Sequence, residues 1–93
     1  MINQVEAQNI LQDFLRIESV TPDAKKSFDF LEKLFKKYNF EIHRVKFGSA
    51  DTIEVENMFA IIGSGGPHLN FAGHVDVVPP GELNSWKHPP FSG

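Results

Sequence analysis

Near the start of the chain, Ala7, Ile10, Leu11, Phe14 and Leu15 recur at the spacing that gathers side chains on one face of an α-helix. Glu6, Gln8, Asp13 and Arg16 take the other side. Asn3 followed three residues later by Glu6 forms a capping-box pattern with Asn in place of Ser or Thr. A helix is predicted over residues 4–18. Thr21-Pro22 restarts the pattern, because Thr can cap and Pro is tolerated at the first helical position. Ala24, Phe28, Leu31, Phe35 and Tyr38 then keep helical spacing, and Lys33, Lys36 and Lys37 crowd the last turn, where cations suit the helix dipole. Asn39 is suited to a left-handed stop.

Beyond Asn39 the period shortens. Phe40–Phe47 reads as a strand of imperfect alternation, with Phe40 and Ile42 in one phase and Val45 and Phe47 in the other. Such a strand is either partly buried on both faces or bulged. Residues 48–54 read as loop, Asn57–Ile62 as an apolar central strand, Gly63–Pro67 as a turn, and His68–Gly73 as a third strand. Two helices followed by short apolar strands predict an α/β fold, with about three strands of a larger mixed sheet covered on both sides. Residues 75–93 hold four of the six prolines, which excludes helix or central strand there. That stretch still carries Val75, Val77, Val78, Trp86 and Phe91, which need a surface to pack on. The chain therefore reads as the front of a larger domain.

Composition narrows the chemistry. The 93 residues are 41% hydrophobic and 23% charged, enough for a folded chain. The net charge is −3, from 9 basic and 12 acidic residues without a basic cluster, so neither nucleic acid nor an anionic membrane is expected as partner. Cysteine is absent, which removes disulfides, thiolate catalysis and Cys-type zinc sites together. No leader pattern opens the chain and the longest apolar run, Met58–Ile62, is far too short to span a bilayer, so a soluble, cytoplasmic protein is expected.

The candidate chemistry lies at His74-Val75-Asp76, where the third predicted strand gives out. In extended backbone, positions 74 and 76 point to the same side. Neutral imidazole is a good ligand for zinc-like metals, and an adjacent carboxylate can fix its tautomer. By itself His-x-Asp is more often a solvated or structurally bonded pair than a ligand, and a catalytic zinc site needs about three protein ligands. His43, His68 and His88 lack ligand-like spacing, and Glu82 lies in a loop as a solvated charge or a conceivable base. Gly63–Gly66 leads through Pro67 into a predicted strand, not through Gly-Lys-Ser/Thr into a helix, so it is a turn and no phosphate loop.

The run from Gly66 to Gly81, with Gly73-His74-Val75-Asp76-Val77-Val78-Pro79-Pro80-Gly81 at its centre, and the later Trp86 and Pro89-Pro90-Phe91-Ser92-Gly93, resemble a signature of the dinuclear-zinc aminoacylase/carboxypeptidase family. Leu15–Pro22 resembles that family's N-terminal segment, whereas residues 40–56 carry no distinctive match. The resemblance implies a zinc-peptidase-like catalytic domain of which residues 1–93 are the N-terminal fragment, followed by a lid that dimerises. It implies two zinc ions per full-length subunit, with cobalt an alternative at one site. His74 would be a metal ligand and Asp76 the carboxylate that orients it. The reaction implied is hydrolysis of the amide bond of a small N-succinyl amino acid, in a homodimer. The remaining ligands and the glutamate base lie further along in the family, so this stretch alone is expected to hydrolyse nothing and to bind zinc weakly. Two other readings stay open: a different deacylase of the same family, and a small α/β module whose His74 and Asp76 are structural.

Overall fold

Four regular elements succeed one another in the computed structural model, which describes residues 1–93: helix α1 (Gln4–Leu15), helix α2 (Lys25–Lys37), strand β1 (Glu41–Phe47) and strand β2 (Val55–Ile61). A single 3₁₀ turn, Leu83–Ser85, follows within the long C-terminal loop. The order is that of a small α/β unit.

The start of α1 follows from its cap. The Asn3 side chain accepts from the Glu6 N–H at 2.9 Å and the Glu6 carboxylate accepts from the Asn3 N–H at 2.8 Å, so two otherwise orphaned donors are satisfied reciprocally. The helix stops at Leu15, three residues short of the predicted end. The cause lies in the segment that follows. Val20 forms a parallel bridge with Val77, using Thr21 N–H to Val77 C=O and Val77 N–H to Ser19 C=O, both at 2.9 Å. Val20 is therefore held in a strand-like bridge, Thr21 and Pro22 turn directly after it with Asp23 N–H bonded to Val20 C=O at 3.0 Å, and Pro22 disfavours helical backbone at Thr21 as well. The same bridge overturns the expected cap of the second helix. Thr21 is spent on Val77, and α2 begins only after Ala24, without a side-chain cap. At its far end Asn39 adopts φ 64°, the left-handed stop expected there.

Strands β1 and β2 pair antiparallel in unbroken register from Glu41↔Ile61 to Phe47↔Val55, so the imperfect alternation marks no bulge. Ile42, Arg44, Glu56, Met58 and Ala60 lie on the partly buried face, toward α2. The other face is apolar and bare: Val45, Phe47, Val55, Phe59 and Ile61 are all exposed. Ring contacts fasten the helices, Phe14 to Phe30 between α1 and α2 at 5.7 Å and Phe35 to Phe40 at the end of α2 at 5.1 Å.

The third strand does not form. Residues 68–73 join no ladder, and Leu69 and Phe71 stand 81% and 88% exposed. A strand needs a hydrogen-bonding neighbour as well as a suitable pattern, and β2 is paired only to β1. The sheet within this chain therefore has two antiparallel strands in place of about three in a mixed sheet. Only Ser19, Ala24, Ser27 and Phe28 are buried. The radius of gyration is 15.7 Å, against about 12 Å for a compact domain of this length. There are 39 backbone–backbone hydrogen bonds, where a compact domain of similar length makes about 60. This is a thin unit, 21 Å across its short axis, with apolar surface left over on both the sheet and the C-terminal loop.

Candidate functional site

His74 and Asp76 lie on the irregular segment that leads into the bridge between Val77 and Val20. The His74 imidazole Nδ1 is 2.8 Å from the backbone carbonyl of Asp76 and 3.1 Å from its carboxylate Oδ1. Both of these oxygens are acceptors, so Nδ1 carries the proton and donates to them. In the neutral ring Nε2 then holds the free lone pair. The side chain is 84% exposed, which leaves that lone pair turned out of the protein's own hydrogen-bond network. A tautomer fixed through Nδ1, with Nε2 open, is what a metal-ligating histidine requires.

The Asp76 carboxyl is held below its ordinary value of 3.8. The largest cause is the nearby Thr21 side chain, with His74 and the Asp76 backbone adding to the effect and desolvation opposing it. Asp76 is therefore an acceptor at neutral pH, as the proton assignment on His74 demands. Thr21, Pro22, Phe28, Met58, His74 and Asp76 line one small cleft of about 230 Å³ between the α1–α2 connection, β2 and the site segment.

His74 and Asp76, expected side by side from their spacing, are in contact. Thr21 is not expected beside them. Its place there rests on a contact across more than fifty positions of chain, and nothing in local spacing announces such a contact. The other candidates are elsewhere. His43 pairs with Glu41 at 2.8 Å on the hairpin, and His68, His88 and Glu82 join no ligand cluster. No group of three or more His, Asp or Glu side chains is placed to hold a metal ion. His74 thus fits a metal in its donor chemistry, while residues 1–93 bring no second and third donor beside it. The Gly63–Pro67 segment bends at Gly65 and Gly66, with Gly63 at φ 82° and Gly65 at φ 80°, and no helix follows it. No helix is long and apolar enough to cross a membrane.

A second constellation, structural in character, joins α2 to the sheet. Arg44 on β1 meets Asp29 at 2.6 Å and Glu32 at 2.9 Å from α2, and also Glu56 on β2. Its pKa is raised, chiefly by Glu56, with Asp29 and Glu32 adding to the effect and burial opposing it. The guanidinium also lies 5.9 Å from the centre of the Phe28 ring.

No protein-family model matches the chain. Curated proteins do. A succinyl-diaminopimelate desuccinylase of Rhodopseudomonas palustris strain TIE-1 is 46% identical over 93 residues, 100% of this chain and 24% of that protein. The same-named proteins of R. palustris strain BisA53 and Bradyrhizobium sp. strain ORS 278 are 46% and 47% identical over 88 residues, 95% of this chain and 23% of each of theirs. The chain spans about a quarter of the length of the curated relatives it matches. Throughout its length, it is similar to the N-terminal part of the succinyl-diaminopimelate desuccinylases.

Proposed function

We propose that residues 1–93 form the opening part of the catalytic α/β domain of a metal-dependent succinyl-diaminopimelate desuccinylase. The reaction is hydrolysis of the amide bond of N-succinyl-L,L-diaminopimelate, giving succinate and L,L-diaminopimelate on the route to lysine. The observation that carries this reading is His74, with Nδ1 committed to Asp76 and Nε2 open, in a chain 46% identical to proteins of that name. The full-length protein is a cytoplasmic homodimer in this reading, with two zinc ions per subunit and cobalt an alternative at one of them.

His74 holds one metal through Nε2. Asp76 keeps the ring in the required tautomer and orientation, and its negative charge raises the basicity of the ligating nitrogen. When bound, such metals polarise an amide carbonyl and lower the pKa of a coordinated water. The glutamate base and the remaining ligands belong to other parts of the full-length protein, so this stretch supplies one ligand and its support without a complete active site.

The test is made on the full-length polypeptide that carries residues 1–93. It is expected to release succinate from N-succinyl-L,L-diaminopimelate, to lose that activity to a chelator, and to lose bound metal with His74→Ala. Residues 1–93 alone are expected to give no turnover. Faster hydrolysis of N-acetylornithine than of the succinylated substrate would move the assignment to another deacylase, and unchanged metal content in His74→Ala would remove His74 from the site.

A further inference from the structure

We infer that the peptide unit joining Asp76 to Val77 is the positioning element for His74. Its N–H is anchored on the Ser19 carbonyl and its C=O takes the His74 Nδ1 proton, so the main chain sets the tautomer of the ring. The Asp76 carboxylate is left to supply charge. This deepens the reading of His74 as a metal ligand and rests on it. The Nδ1 proton has two acceptors on one residue, and they are not equal. The main-chain oxygen of Asp76 is 2.8 Å away and the carboxylate Oδ1 3.1 Å. They differ also in how firmly they are held. The carboxylate swings on two side-chain torsions and its side chain is 41% exposed. The carbonyl belongs to a planar unit that includes the Val77 N–H. That N–H donates to the Ser19 C=O at 2.9 Å, and Ser19 is buried. The peptide is trans, so its N–H and C=O point to opposite sides of the chain. Fixing the N–H therefore aims the C=O, and one rigid plane carries the constraint from the α1–α2 connection to the imidazole.

Side-chain and main-chain substitutions separate the two acceptors. Asp76→Ala removes the carboxylate and leaves the carbonyl where the bridge holds it. Asp76→Leu does the same with a side chain of similar branching. The α-hydroxy acid analogue of valine at position 77 turns the N–H into an ester oxygen, which removes the bond to Ser19 and also makes the Asp76 carbonyl a poorer acceptor. The same analogue at position 20 weakens the Ser19 carbonyl as acceptor and leaves the peptide between residues 76 and 77 chemically intact. The Val20 N–H that it replaces takes no part in the bridge. Losing a partner that orients a metal-ligating histidine lowers metal affinity by about 10–100-fold.

The experiment uses the full-length polypeptide that carries residues 1–93, 15N-labelled at histidine and metal-free, at about pH 9, where an imidazole is neutral. Ring nitrogen shifts report the tautomer, and a His74→Ala sample identifies which signals belong to His74. The expected results are a ring protonated at Nδ1 in the wild type, in Asp76→Ala and in Asp76→Leu, and mixed tautomers in both ester proteins. Zinc affinity, measured by competition with a chromophoric chelator, is expected to fall about 10-fold or more in the ester proteins. It should fall in Asp76→Ala as well, where the charge is lost while the tautomer stays. Mixed tautomers in Asp76→Ala and Asp76→Leu would overturn the inference, because the carboxylate would then set the ring. So would a wild-type tautomer in the position 77 ester. A wild-type tautomer in the position 20 ester alone would overturn it too, since the change at position 77 would then come only from its weakened carbonyl. Zinc content of His74→Ala tests the metal reading separately, and the tautomer, read without metal, decides this inference whichever way that falls.

Discussion

Arg44 gives the most direct test of how α2 is fastened to the sheet. Replacing it with Met keeps an apolar stem over Phe28 and removes the charge from among three carboxylates. These lose unequally. Asp29 retains Lys25 at 2.6 Å and Glu32 retains Lys36 at 2.5 Å, both on exposed helical turns. Glu56 has no other ion-pair partner and its side chain is only 13% exposed. The cost therefore falls on Glu56. A hydrogen bond to a charged group contributes about 1.5–3 kcal/mol, and the carboxylate left behind has little water to replace it. A loss of about 2 kcal/mol in docking corresponds to about 30-fold faster amide exchange across α2, at roughly 1.4 kcal/mol per tenfold. In Arg44→Met/Glu56→Gln the unpaired charge is gone, and most of the protection should return. Amide hydrogen exchange resolved along α2 makes the measurement. If the double variant exchanges as fast as Arg44→Met, or if Asp29→Asn restores as much as Glu56→Gln, the cost does not sit on Glu56.

Three further outcomes are expected. Asp29 and Glu32 are held below their ordinary values of 3.8 and 4.5, first by Lys25 and Lys36 respectively and then by Arg44. Depressed carboxyls contribute stability in full above those ordinary values and lose it as pH falls through the lower folded values. Helical signal at 222 nm should therefore hold from pH 7 to 5 and weaken only below about 4; a loss confined to pH 5–7 would contradict this. Ser27 is buried on α2 with no protein partner for its hydroxyl, so Ser27→Ala should stabilise the chain by about 1 kcal/mol, and a denaturation midpoint lowered by the substitution would show a hidden bond. Finally, residues 1–93 in isolation should bind a hydrophobic dye and self-associate in sedimentation, and Phe59→Lys should reduce both, because the bare sheet face is apolar. A monodisperse monomer without dye binding would mean that this face is covered in solution.

What could be read from the residues were the features decided within a few positions. The Asn3–Glu6 cap, the α2 stripe from Ala24 to Tyr38 and the left-handed Asn39 all depend on neighbours in sequence, and each is where the pattern puts it. The pairing of His74 with Asp76 is equally local. The local pattern misleads where a distant segment intervenes. The first helix ends early and Thr21 does not cap the second because Val77 recruits the backbone of both Ser19 and Thr21. The segment 68–73 has a strand's composition, but composition cannot supply the neighbour a ladder needs. Arg44 reads as an ordinary polar position on a strand, and only the docking of α2 turns it into the junction of three carboxylates.

The Val20–Val77 bridge also bears on the order in which this site assembles. Closing a loop of about 60 residues costs about 3.6 kcal/mol in chain entropy beyond a constant, whereas two backbone hydrogen bonds contribute about 1 kcal/mol each. The bridge cannot close by itself. Helix α1, helix α2 and the β1–β2 hairpin rest on contacts close in sequence and can form first, on microsecond scales. The strap across Val77 comes afterwards, when enough apolar surface has gathered to repay the closure. By the same balance it is the first tie to open in the folded protein. His74 and Asp76 therefore sit on the last-formed and earliest-released part of the chain, and their alignment depends on a closure that the helices alone do not secure.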